Sequence, residues 1–492
     1  MTATATTAAS GSGRTMRAPL TARPRPIRTR RHRPPAAIGA TTRAAASSSS
    51  QSSSSAATSS PSKEDSSLLY EVSTTADRIK ASKTVAISDL ATEMKREGKD
   101  VISLAPGEPD FATPERIARA GQDAIATGRT KYSPNPGIAD LREAIVRKLE
   151  RENGIRGLSA GGSVVVTNGA KQAIAETILA SCSPGDEVII PSPYWVSYPE
   201  MANMAGAKPV FVETRLEESF LLTAEGLRGA LTDKSRVLIL CSPSNPTGGV
   251  YTREALVAIA EVVASHPRLL VISDEIYEHI YYREDGASAE PFPASFASCG
   301  VAEAERRTVT INGFSKSFAM TGWRVGYLAG PEPIARAAAK VQSQLTSGAS
   351  SLAQHAACEA LLMCEEDMAA GGERGGREVQ AMVAEFRKRR DFACRRLEEI
   401  GGARLPYSAG AAQDGRPMGA FYLFPEVSTW IARTKCASSD ELCMRILREA
   451  GVALVPGSAF GKEECLRMSY ATSMDNLERA FDKIEDWLGK NT

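Results

Sequence analysis

Asn312-Gly313-Phe314-Ser315-Lys316-Ser317-Phe318-Ala319-Met320-Thr321-Gly322-Trp323-Arg324 follows the apolar run Thr308-Val309-Thr310-Ile311. The run reads as a strand, and the residues after it as a turn of small, weakly polar side chains. A single lysine in such a turn is poorly placed as a solvated charge. It is well placed as an imine-forming amine, because desolvation lowers an amine's pKa and frees its lone pair. Arg324 follows eight residues on and supplies a fixed cation for a nearby anionic group. Taken alone, Lys316 reads more simply as a structural lysine at a strand end, so the surrounding chain has to decide.

Outward from this stretch, short apolar runs alternate with helical patterns from about Glu115 onward. The runs include Val164-Val165-Val166, Val188-Ile189-Ile190, Val237-Leu238-Ile239-Leu240, Leu269-Leu270-Val271-Ile272 and Val325-Gly326-Tyr327-Leu328. Each is apolar on successive residues, as strands buried on both faces should be. Between them lie amphipathic stretches such as Arg253 to Val263. This alternation predicts an α/β domain with a mostly parallel sheet, whose ligands gather at the carboxyl ends of the strands. After about residue 355 the pattern changes to a long polar helix, Val379 to Glu399. Strand-like pieces follow, Phe421-Tyr422-Leu423-Phe424 and Val452-Ala453-Leu454-Val455, then a final amphipathic helix from about Met474 to Leu488. These predict a smaller α+β domain. The expected division is a leader over 1–63, an arm with part of the small domain over 64–115, a large domain over 116–355 and the small domain over 356–492. The stretches Glu365 to Glu378 and Ser408 to Arg416 read as surface loops.

Three further strand ends carry chemistry. Asn168-Gly169-Ala170-Lys171 follows Val164 to Val166 and opens a helix, so small residues and free N–H groups face an anion there. Ser242-Pro243-Ser244-Asn245-Pro246-Thr247-Gly248 follows Val237 to Leu240 and projects Asn245 over the sheet edge, where its amide can donate to a phenolate oxygen. Ser273-Asp274-Glu275-Ile276-Tyr277 follows Leu269 to Ile272. Asp274 can pair with a pyridine N–H⁺ and keep the ring an electron sink. Tyr277 lies one turn along if a helix starts here. Each motif alone also reads as an ordinary turn or helix cap. Anion turn, Asn, Asp, Tyr, Lys and Arg in that order, each beside an apolar strand, point instead to a pyridoxal phosphate site.

These residues resemble the fold-type I pyridoxal phosphate enzymes, and more narrowly the class I aminotransferases. The likeness extends to Ala105-Pro106-Gly107-Glu108-Pro109-Asp110-Phe111, Lys131-Tyr132-Ser133-Pro134, Pro193-Tyr194-Trp195-Val196-Ser197-Tyr198-Pro199 and Arg467-Met468-Ser469-Tyr470-Ala471, over about residues 70 to 490. It is most similar to the subgroup Ib aspartate aminotransferases, in the plastid branch that also aminates prephenate to arogenate. The resemblance implies that Lys316 holds the cofactor covalently and then shuttles a proton. It implies that Asp274 holds the pyridine nitrogen, that Tyr277 and Asn245 bind its phenolate oxygen and that Trp195 stacks on the ring. Gly169, Ala170, Ser315 and Arg324 would hold the phosphate, with Tyr132 reaching the phosphate of a neighbouring subunit in a homodimer with shared sites. Arg467 would fork onto the substrate α-carboxylate, Gly107 would line the substrate site, and Lys171 would meet a distal carboxylate. Lys80 and Thr84 match positions associated with prephenate use, although Ala81 stands where that branch usually has proline. No metal is implied.

The activity so implied is transfer of the amino group of aspartate or glutamate to 2-oxoglutarate, oxaloacetate or prephenate. The alternatives are an aspartate aminotransferase without prephenate activity, a lyase on the same fold, or a regulator carrying such a domain. Residues 1–63 contain nine Arg and Lys63 and no Asp or Glu, with near-continuous serine from Ser47 to Ser55. Such a segment cannot bury enough apolar surface to order itself and reads as an organellar transit peptide. Its Ser/Thr/Pro content points to the chloroplast, with the mitochondrion as the alternative. Without its ten basic residues the chain has 49 basic against 58 acidic residues, from 59 and 58, a net charge of −9. That argues against nucleic acid as a partner. No apolar run approaches the roughly 18 residues of a membrane span. The nine cysteines are dispersed and odd in number, which argues against a disulfide framework or a zinc site.

Overall fold

The computed structural model describes residues 72–283, 293–406 and 416–491. The segment 1–63 and residues 408–415 of the Ser408 to Arg416 stretch lie outside the described residues. The central feature is a seven-stranded sheet: β1 (Val164–Thr167), β2 (Glu187–Ser192), β3 (Lys208–Glu213), β4 (Ser235–Cys241), β5 (Leu270–Asp274), β6 (Thr308–Gly313) and β7 (Gly326–Ala329). Their spatial order is β1-β7-β6-β5-β4-β2-β3. Only β7 runs antiparallel to its neighbours, β1 and β6.

Six of these strands coincide with the successive-apolar runs, and β5, β6 and β7 are buried at every residue. The helix Ala170–Ser181 covers one face through Ile174 and Ile178, which pack on Val165, Val188 and Leu328. The helix Arg253–Ser265 covers the other through Leu256, Ile259 and Val263. Each such side chain contributes about 1.5–3 kcal/mol on burial, and Ile174→Ala is expected to cost about 2–5 kcal/mol. β3 lies at the sheet edge, with Lys208, Phe211 and Glu213 exposed and only Val212 buried. It lacks the apolar run because half of an edge strand meets water.

Two small sheets complete the fold. Ile102–Ser103 pairs in parallel with Val452–Ala453, and Val455–Pro456, Leu466–Ser469 and Tyr422–Leu423 form an antiparallel three-stranded sheet. The run Val452 to Val455 is therefore two strands in two sheets, divided at Leu454. The closing helix Met474–Lys490 is capped by the Ser473 side chain, which accepts from the Asn476 N–H. It buries Leu477, Ala480, Phe481, Ile484, Trp487 and Leu488, the spacing of one helical face.

Two local expectations are corrected. Glu365 to Glu378 is not a surface loop: the helix Ser351–Ala369 runs into it and the helix Gly376–Ile400 begins within it. Arg374, in the short connection, is only 6% exposed. Tyr277 does not sit on a helix; residues 276–279 form a turn directly after β5.

Candidate active site

Register explains why chemically distinct segments converge. Cys241 of β4 lies opposite Asp274 of β5, which lies opposite Ile311 of β6. The segments that follow these parallel strands therefore leave one edge of the sheet together. Because β7 is antiparallel, its start faces that same edge, with Gly313 opposite Gly326. Arg324, two residues before β7, is thereby brought to the ends of strands that run the other way. A cavity of about 780 Å³ opens there. Its walls include Gly107, Ala170, Lys171, Trp195, Asn245, Asp274, Tyr277, Ser315, Lys316, Arg324 and Arg467.

Lys316 Nζ donates to the Gly107 carbonyl and lies 5.9 Å from the ring centroids of Tyr277 and Phe421. Burial lowers its pKa to about 8; Arg467 and Arg324 act in the same direction, opposed by Glu108 and Asp274. Near pH 8 about half of the amine is therefore free to act as a nucleophile. Gly107 has little room for more: a Cβ there would lie 2.8 Å from the Tyr422 hydroxyl.

Asp274 is 3% exposed. Its Oδ2 accepts from the Tyr198 hydroxyl at 2.6 Å and its Oδ1 from the Ile276 N–H at 3.3 Å. Burial raises its pKa to about 6, against the pull of Tyr198, Ile276 and Lys316. The Tyr277 and Tyr422 hydroxyls are 2.8 Å apart, and burial pushes the Tyr277 phenol well above its usual range, so it remains a proton donor. Arg467, 2% exposed, donates to Asn245 Oδ1 at 3.1 Å and to the Ala105 carbonyl at 2.7 Å. It lies 4.5 Å from the Tyr422 ring centroid.

At the sheet corner, Gly169 has φ +83° and caps the helix Ala170–Ser181. A Cβ there would meet Arg324 Nη2 at 2.4 Å. Arg324 itself has φ +54°, which costs a non-glycine residue roughly 1 kcal/mol or more. Its guanidinium donates to the Thr321 and Asn168 carbonyls at 2.9 and 3.2 Å. Lys171 Nζ stands 5.0 Å from the Trp195 ring centroid; desolvation and then the Arg324 charge lower its pKa.

Thr84 also lines the cavity, with its Oγ1 buried and without a hydrogen-bond partner. Lys80 does not reach it. Its backbone N–H donates to Glu200 Oε2 at 2.9 Å, and its side chain is not among the cavity walls. Tyr132, 96% exposed, is likewise absent from the walls. Tyr198, Tyr422, Cys241 and Glu108 line the cavity without having been singled out as site residues. Tyr198 had a usable signal, since it stands three residues after Trp195 in the same motif. Tyr422 lies in an aromatic run that reads only as core.

Pyridoxal phosphate fits these residues. Gly169, Ala170, Ser315 and Arg324 form a small cationic cradle at a helix N-terminus, suited to a phosphate. Asp274 offers a buried carboxylate for a ring N–H⁺. Arg467 Nε is buried and has no partner, so a further acceptor can be bound beside it.

A family profile for aminotransferase class I and II matches residues 99–484. The bifunctional aspartate aminotransferase and glutamate/aspartate-prephenate aminotransferase of Petunia hybrida is 50% identical over 420 residues, 84% of this chain and 82% of its own length. The aspartate/prephenate aminotransferase of Cereibacter sphaeroides is 41% identical over 419 residues, 84% of this chain and 98% of its own length. The solved structure of aspartate aminotransferase from Thermus thermophilus with maleate has a TM-score of 0.75 at 39% identity, covering 85% of this chain and 99% of that one. The chain belongs to the class I and II aminotransferases, pyridoxal phosphate enzymes of the fold-type I architecture.

Proposed function

We propose that this aminotransferase takes the amino group from aspartate or glutamate and gives it to 2-oxoglutarate, oxaloacetate or prephenate. The observation that carries this reading is the buried Arg467, facing the same cavity as Lys316 and the exposed cation Lys171. Two cations flanking one reactive amine suit a substrate with two carboxylates. The names of the Petunia and Cereibacter relatives add prephenate to aspartate.

When bound, the cofactor supplies an aldehyde that couples to amines and a ring that accepts the electron pair left at the substrate Cα. In this reading Arg467 keeps its bonds to Asn245 and Ala105 and turns its remaining N–H groups, Nε–H included, to the α-carboxylate. Lys316 Nζ, in its neutral form, would take the substrate Cα proton and hold it at the reacting centre. Asp274 stays ionised above about pH 6 and holds a proton on the ring nitrogen. Tyr277 and Asn245 donate to the phenolate oxygen, and Trp195 keeps water from the ring face. Lys171 receives the distal carboxylate.

Tyr132, exposed on its own subunit, reaches the phosphate of a second copy in a homodimer with shared sites. Residues 1–63 direct the chain to the chloroplast, and the two-domain division at about residue 355 belongs to the same reading. The test is a substrate comparison on residues 64–492 loaded with pyridoxal phosphate, with aspartate as donor. Comparable kcat/KM for 2-oxoglutarate and prephenate supports the reading. Brisk glutamate formation with no arogenate removes prephenate from it, and ammonia release without a 2-oxoacid overturns it.

A further inference from the structure

Behind the cavity lies a buried polar cluster that the chemistry above does not use. Its hub is Glu278, 3% exposed, in the turn that carries Tyr277 and follows Asp274, the last residue of β5. Its Oε1 accepts from Lys148 Nζ and from Asn312 Nδ2, the latter at 2.5 Å. Its Oε2 accepts from Asn153 Nδ2 at 2.7 Å and Arg374 Nη2 at 2.8 Å. Burial alone would raise the pKa of this carboxyl, but Lys148, His279 and Arg374 outweigh it and hold it below the usual carboxylate range. One ionised carboxylate thus gathers four donors from three parts of the fold: the helix Ala139–Asn153 at two points, β6 and the connection before the helix Gly376–Ile400.

The link to β6 joins Glu278 to the Lys316 side of the site. Asn312 is the penultimate residue of β6, four residues before Lys316, and its Oδ1 accepts from the Gly313 N–H at 2.7 Å. Glu278 therefore ties the arm bearing Asp274 and Tyr277 to the arm bearing Lys316. The neighbouring Glu275 fastens the same turn on its other side, accepting from Ser273 and Ser295 at 2.8 and 2.7 Å. Charge-assisted bonds of this kind are short and directional, and a buried carboxylate that loses one donor has no water to replace it.

We propose that Glu278 is a positioning residue for the cofactor, fixing through Asn312 the spacing between Lys316 and the Asp274–Tyr277 pair. The inference rests on the cofactor site alone and is independent of which oxoacid is used. A purely structural hub would stabilise the fold without affecting the bound cofactor. A positioning hub alters how the two arms meet it, because small displacements at a reacting centre have large kinetic effects.

The test uses the chain loaded with pyridoxal phosphate and three variants. Glu278→Gln keeps the volume but places an amide N–H₂ against donors. Asn312→Ala cuts the link to β6, together with the bond from the Gly313 N–H, and leaves Glu278 its other three donors. Glu152→Gln is the control, because Glu152 meets His279, in the same turn as Glu278, and Arg374, but not Asn312, the link to β6. The readouts are the pH midpoint of the bound cofactor's absorbance, kcat and KM with aspartate and 2-oxoglutarate, and Tm. Glu278→Gln is expected to move the midpoint by about half a pH unit or more. It should also lower kcat on the order of 10- to 100-fold, with KM within about threefold. Asn312→Ala should shift both in the same direction by less, and Glu152→Gln should lower Tm alone. If Glu278→Gln fails to fold, Asn312→Ala decides. Unmoved midpoints and kcat in Asn312→Ala, or Tm losses in Glu278→Gln and Glu152→Gln with no spectral change in either, overturn the proposal. A wild-type chain with no cofactor attached at Lys316 would instead count against the cofactor site itself.

Discussion

On the sheet side of the cavity Asp274, Asn245 and Arg467 are buried and each holds a named hydrogen-bond partner. On the side formed by the N-terminal helix Lys83–Arg96, the groups are more exposed. That helix packs its far end into the body through the buried Ala91 and Met94, but its first turn is fastened by the half-exposed Lys83–Asp440 ion pair and a bond from Lys83 to Ser458. Exposed pairs of this kind contribute about 0–1 kcal/mol. The first wall is preorganised by strand register; the second is held loosely at the first turn of its helix. The contrast implies that chemistry is set by the sheet side, and that the choice among distal substrate groups is set where the chain can adjust.

The strongest way to break this contrast is Lys316→Ala. Turnover should fall below detection, a greater loss than the roughly 10²–10⁴-fold that general-base action alone contributes. Steady-state assay of the cofactor-loaded variant checks it, and near-normal activity would refute the role. Arg467→Leu should come next. Truncating a buried, hydrogen-bonded charge costs about 2–5 kcal/mol, so kcat/KM should fall on the order of 30- to several-thousand-fold for every amino donor. Lys171→Ala should act selectively: a charged hydrogen bond is worth about 1.5–3 kcal/mol. Dicarboxylates should lose about 10- to 100-fold in kcat/KM, while monocarboxylate donors change little. An equal loss for both would remove Lys171 from the distal site.

The pH dependence sharpens the same comparison. Lys316 has a lowered pKa of about 8 against 10.5 for an ordinary lysine. The folded chain therefore binds fewer protons at this group than the unfolded chain between those values. The burden of burying the charge is full below about pH 8 and is relieved as pH rises toward 10.5. Capture of pyridoxal phosphate by the cofactor-free chain should accelerate up to about pH 8 and level off above it, as stopped-flow absorbance would show. The smallest effect is reserved for Lys80→Ala. With its side chain outside the cavity, aspartate turnover should change less than about twofold, within the range of a surface substitution.

The sheet and the catalytic constellation were legible in the sequence because both are dictated locally. A strand buried on both faces must be apolar on successive residues, as at Val237 to Leu240, and the group that follows it must emerge at the strand end. β3 was not legible, since Lys208 and Pro209 open it and an edge strand exposes half its residues. Arg374 was hidden among glycines and acidic residues that resemble a solvated loop; its partners Glu152 and Glu278 lie far away in sequence. The Tyr198 bond to Asp274 depends on how the segment after β2 crosses the sheet edge, which register decides and composition does not.

Borohydride reduction of the cofactor-loaded chain, followed by peptide mapping, tests the central claim most directly. The pyridoxyl group is expected on the peptide containing Lys316 and absent from that containing Lys171. Label on Lys171, or label spread over surface lysines with Lys316 unmodified, would contradict the account.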